Sequence, residues 1–61
     1  MQFKVGDIVK AQYEDTRYEN AVIVQKDGLF DGTYGILFFR GPSKVYWYVG
    51  EEIEKVELPS P

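Results

Sequence analysis

Cysteine and histidine are both absent from this 61-residue chain. Without cysteine there is no disulfide staple, no thiolate nucleophile and no thiolate metal ligand. Without histidine, the usual general base near neutral pH and the commonest metal ligand are missing as well. Zinc sites built on Cys and His, and Cys/His or Ser/His/Asp catalysis, are therefore excluded. Long apolar runs are also lacking: no stretch approaches the roughly 18 residues of a membrane helix. The opening Met1-Gln2-Phe3-Lys4-Val5 lacks the apolar region of a signal peptide. The expectation is an intracellular protein with no membrane segment. No helix of normal length, internal repeat or low-complexity segment is legible.

What is present is apolar and aromatic. Hydrophobic residues make up 44% of the chain and aromatics 16%, a composition for a folded domain. A chain this short buries only roughly 60% of its unfolded surface. Packing of aromatic and β-branched side chains must therefore hold it together. One domain over 1–61 is expected, its core over about 4–58 and a frayed tail at 59–61. Ten acids against seven bases leave a net charge of −3. Such a surface suits a basic peptide better than a phosphate backbone, so nucleic acid is not the expected partner. No nucleophile–base pair or metal set is visible, and neither an enzyme nor a cofactor is expected.

Along the chain, short strands alternate with turns. Residues 7–13 alternate, with Val9, Ala11 and Tyr13 on one face and Ile8, Lys10 and Gln12 on the other. A polar loop, Glu14-Asp15-Thr16-Arg17, leads to a β-branched strand at 18–24. Lys26-Asp27-Gly28 and Asp31-Gly32 are turn signals. Leu29 and Phe30 between them either fold back as a lid or form an exposed contact patch. The strand at 33–39 carries Tyr34, Ile36 and Phe38 on one face, and mid-strand Gly35 suggests a bend or bulge. After the turn at Arg40-Gly41-Pro42-Ser43, residues 44–49 form a fourth strand. There Trp47 shares a face with Val45 and Val49, and Tyr46 and Tyr48 point the other way as a solvent-facing strip. Gly50-Glu51-Glu52-Ile53 makes one helical or 3₁₀ turn, and 55–58 closes the sheet. Five short strands in about 60 residues predict an all-β fold: a small, strongly bent antiparallel barrel.

Four stretches follow in order: Val5-Gly6-Asp7-x-Val9-x-Ala11-x-Tyr13 followed by Glu14-Asp15; Tyr18-x-Asn20-Ala21-Val22-Ile23; Thr33-Tyr34-Gly35-Ile36-Leu37-Phe38; and Gly50-Glu51-Glu52-Ile53. Together they resemble a Tudor domain of the Royal superfamily, a family of SH3-like barrels. The resemblance implies a five-stranded SH3-like barrel that binds methylated lysine or arginine in an aromatic cage. A methylated ammonium is a bulky, weakly hydrated cation, and each ring face around it contributes about 0.5–2 kcal/mol. The implied walls are Tyr13, Tyr18 and Phe38. Tyr18 stands one residue out of register with the family spacing, so a bulge is needed to bring it in. Arg40 occupies the position where many methyl-lysine readers carry Asp or Asn, and Pro42 the position of a further ring. Asp15 or Glu14 is then the substitute acid, and Trp47 or Phe39 the substitute fourth wall. Each ring has a plain alternative as packing, Trp47 above all. The implied partner is a basic or methylated protein tail, such as a histone's, in the nucleus, with the module a monomer or weak dimer. The alternative is an SH3-like barrel without methyl recognition that docks a larger protein or dimerises. A nucleic-acid platform of Arg40, Lys44, Tyr46 and Tyr48 is the remaining reading.

Overall fold

A computed structural model describes residues 3–14 and 17–56. These residues form β1 (Ile8–Tyr13), β2 (Arg17–Lys26), β3 (Thr33–Phe38), β4 (Val45–Val49), a single 3₁₀ turn (Gly50–Glu52) and β5 (Ile53–Lys55). All five strands lie in one antiparallel sheet, in the order β4-β3-β2-β1-β5. No α-helix occurs among the described residues. The expected all-β class is therefore the observed one, and the arrangement is compatible with an SH3-like barrel.

Alternation in the sequence decides which face is buried. Val9 and Ala11 in β1, Ala21 and Ile23 in β2, and Ile36 and Phe38 in β3 turn to the concave side. There they form one core with Phe3, Tyr34 and Ile53. Burying a side chain such as Ile23 or Ile36 stabilises the fold by about 1.5–3 kcal/mol. The entry turn is held by Asp7, whose carboxylate accepts the Lys4 N–H at 2.9 Å. Gly6, at φ 99°, takes a backbone angle that an L-residue with a side chain resists.

Three local expectations change. The bend foreseen at Gly35 falls on the facing strand: the register slips between Ile23 and Gln25, opposite Ile36 and Gly35. Gly35 instead makes room, since a Cβ there would come within 2.9 Å of Val45 and 3.0 Å of the Trp47 ring. The faces of β4 are also reversed. Tyr46 and Tyr48 pack against the core, whereas Trp47 lies on the outer face. The small surfaces of Gly28 and Gly35 make a seat that its indole fills. Finally, the closing strand begins earlier than 55. The 3₁₀ turn ends at Glu52, so Ile53 enters the ladder opposite Ala11 and is buried. The end of the expected strand, at 57–58, lies outside the described residues, as does the tail at 59–61. Leu29 and Phe30 are exposed. Their loop is held by the Asp27 carboxylate, which accepts the Gly32 N–H, and by Thr33, whose hydroxyl donates to the Phe30 carbonyl.

Candidate functional site

Tyr13 and Phe38 come together, and Tyr18 does not join them. Tyr13 ends β1 with its ring centroid 4.9 Å from Phe38 and 5.9 Å from Tyr46. Phe38 in turn lies 5.4 Å from Tyr46 and 6.3 Å from Tyr48, in edge-on geometry. The four rings fill one end of the core by edge-to-face contact. Phe38 is only 4% exposed, so it offers no free face to a guest. The β1–β2 register runs unbroken from Ile8↔Val22 to Tyr13↔Arg17. The bulge that would bring Tyr18 beside Tyr13 is therefore not there. Tyr18 faces Gln12 across the ladder and projects from the opposite side of the hairpin, 62% exposed. The socket of Tyr13, Tyr18 and Phe38 is thus not assembled. Trp47 stands apart on the outer face, and Asp15 lies outside the described residues.

A different set of residues surrounds an open hollow. Gln12, Glu14, Tyr18, Tyr48, Glu51 and Glu52 line a groove of about 470 Å³ where the β1–β2 hairpin passes the 3₁₀ turn. Each wall has a local cause. The β1–β5 pairing reaches Ala11, and β1 runs on past it, so the hollow opens beside Gln12. Tyr48 reaches across and donates its hydroxyl to the Gln12 carbonyl at 2.6 Å. Glu52 is set by accepting the Val49 N–H at 3.0 Å, a bond that satisfies the first turn of the 3₁₀ segment. Glu51, its neighbour, is exposed. Glu14 takes a positive φ of 54° at the hairpin tip, unusual for a residue with a side chain. Arg17 holds its carboxylate at 2.9 Å.

The groove is electronegative on balance. Three carboxylates line it and no lysine or arginine does among the described residues; Glu14 is paired with Arg17 from outside it, which leaves Glu51 and Glu52 as its net charge. Burial pushes the Tyr48 phenol up from its ordinary value, and the negative Glu52 and the neighbouring Tyr46 push it the same way. The Tyr13 phenol is also raised, chiefly by the neighbouring Tyr46 hydroxyl and then by burial. Among the described residues no three acids stand close enough to hold a metal ion. Arg40 is not in this groove. It lines two other hollows, one of about 250 Å³ with Tyr13, Glu14, Arg17 and Glu19 and one of about 370 Å³ with Lys10, Glu19, Phe39 and the far side of Tyr18. A larger hollow, about 720 Å³, lies against Phe3 and Tyr34. Those two rings pack edge-on at 5.4 Å and both are buried, so they offer no free face to a guest; Lys55 stands there beside Asp31, Glu51 and Glu54.

Tyr18 is therefore the one expected wall that lines the acidic groove. Gln12, Tyr48, Glu51 and Glu52 were not among the expected cage residues; the acids of the 50–53 turn read from sequence as a solvated face or as charge that steers a basic peptide, and Tyr48 as part of a solvent-facing strip. The acidic pair directly after an aromatic strand was the available signal. No protein-family model, curated protein or solved structure matches this chain.

Proposed function

We propose that this domain is a binding module for a basic side chain of a protein tail, with methylated lysine or arginine as the preferred guest. The observation that carries the reading is a groove with two tyrosine rings and three carboxylates, of which Glu14 is paired with Arg17. The exposed Tyr18 ring offers an aromatic face, and Glu51 supplies a carboxylate at the opposite wall. Methylation weakens hydration of an ammonium, so the transfer from water costs less and contact with the rings gains more. A lysine- or arginine-rich tail of the histone type has this chemistry. In this reading the rings come from Tyr18 and Tyr48, and the expected walls Tyr13 and Phe38 are packing. A cation–ring contact of this kind occurs elsewhere in the chain, where the Lys44 ammonium lies 5.3 Å from the centre of the Tyr46 ring.

The test is calorimetric titration with short lysine peptides, unmodified and trimethylated, against the protein and its Tyr18→Ala and Glu51→Gln variants. Tighter binding of the trimethylated peptide, weakened by both substitutions, is expected. Equal binding by all three proteins would remove the reading. Tyr18 and Glu51 are exposed, so neither change threatens the core.

A further inference from the structure

The sheet order leaves β4 at an edge, paired with β3 alone among the described residues. Edge strands normally carry a charge, a proline or a bulge that discourages further pairing. Val45-Tyr46-Trp47-Tyr48-Val49 carries none of these. It is also a palindrome: read in either direction it is Val-Tyr-Trp-Tyr-Val. An antiparallel pair of such strands centred on Trp47 sets Val45 opposite Val49, Tyr46 opposite Tyr48, and Trp47 opposite itself. Every position then meets a like residue across a twofold axis, as a self-complementary interface requires.

The backbone is oriented for this pairing. Thr33, the cross-strand partner of Val49, spends its N–H on the Phe30 carbonyl and its C=O on the Asp27 N–H. It therefore exchanges no ladder bonds with Val49, whose N–H goes instead to Glu52. Antiparallel ladders alternate, so Val45 and Trp47, of the same parity as Val49, also aim their N–H and C=O at the open edge. A twofold at Trp47 makes that residue a hydrogen-bonded pair with its own copy. It also lets each Val45 N–H donate to the Val49 carbonyl of the other chain. Those four bonds leave the Glu52 carboxylate on Val49 undisturbed, and that cap ends the pairing. The same register places Lys44 opposite Gly50 of the second copy, beside its Glu51 and Glu52, at both ends of the interface.

We infer that the β4 edge is a homodimerisation surface, through which two copies join their sheets about a twofold at Trp47. Two short strands bury little area, so the association is weak and concentration-dependent. This surface is separate from the β3-facing side of β4. It stands whether or not the acidic groove binds a cation.

Sedimentation equilibrium of the intact chain from micromolar to millimolar concentration tests it, together with amide exchange followed by NMR. The mass is expected to rise toward that of two chains, and exchange at Val45 and Trp47 to slow as it does. Val45→Pro removes an N–H that β3 does not use, and proline is tolerated at an outward edge position. It should weaken association about tenfold or more. Lys44→Glu should weaken it too, and adding Glu51→Lys should restore it. A monomer throughout the range overturns the inference. So does a dimer whose Val45 and Trp47 amides exchange as fast as the monomer's, or one indifferent to Val45→Pro in a protein that NMR shows to be folded.

Discussion

The Tyr48 hydroxyl donates to the Gln12 carbonyl at 2.6 Å, joining an edge strand to the strand three places away in the sheet. One phenol thus ties β4 back to β1 across the curl and at the same time forms a wall of the acidic groove.

Tyr48→Phe is expected to lower stability by about 1 kcal/mol, the net value of a hydrogen bond. The same substitution reports on pH. The folded protein holds the Tyr48 proton above the value of an unfolded phenol, near 10, and Tyr13 shifts in the same direction. The folded state therefore binds more protons in that range. The contribution is complete below about pH 10 and is lost as pH rises through the raised values. Urea unfolding at stepped alkaline pH should show this decline, and Tyr48→Phe should make it shallower. An unchanged slope would contradict the assignment.

Gly35→Ala should destabilise by about 1–3 kcal/mol, because the new methyl meets Val45 at 2.9 Å and the Trp47 ring at 3.0 Å. Tryptophan fluorescence should shift with the loss of stability. A Gly35→Ala variant as stable as the parent, with an unchanged spectrum, would show that the indole does not rest on Gly35.

Ile36→Ala, at a fully buried central position, should cost about 2–5 kcal/mol in urea or thermal unfolding. In a domain this small that is most of the stability available. A loss well under 1 kcal/mol would place the core elsewhere.

Glu14→Gly separates stability from binding. Glycine accepts the left-handed backbone that Glu14 holds at φ 54°. Relief of that strain, about 1 kcal/mol, offsets the greater freedom glycine gives the unfolded chain. The variant should therefore be about as stable as the parent. Arg17 would lose only an exposed ion pair of small value. The groove would lose a carboxylate, and a cationic peptide should bind more weakly. A markedly less stable variant with unchanged binding would contradict both statements.

The fold was largely legible because its signals are local. Alternation in residues 8–13 names the buried face of β1, and turn residues such as Gly6 and Asp27 mark where strands stop. The site was much less legible, because it depends on register. One residue of offset between Tyr13 and Tyr18 sends their rings to opposite sides, and only the unbroken β1–β2 pairing decides it. The faces of β4 were misjudged because Val45-Tyr46-Trp47-Tyr48-Val49 is apolar at every position, leaving no polarity contrast to read. What settles them is distant: Gly28 and Gly35 leave a seat for the indole on the outer side. Tyr48 and Glu52 become neighbours of Tyr18 only through the curl of the sheet, a long-range effect that no short window of sequence carries.

The claim at the centre is that a cationic side chain enters between Tyr18, Tyr48 and the Glu51-Glu52 turn. The most direct measurement is an NMR titration of isotope-labelled protein with a trimethyl-lysine peptide, with an acidic peptide as control. Saturable shifts at Tyr18, Tyr48, Glu51 and Glu52, weakening as salt is raised, are predicted, with the acidic peptide inert. Unchanged spectra at millimolar peptide, or shifts confined to residues away from this groove, would contradict the account.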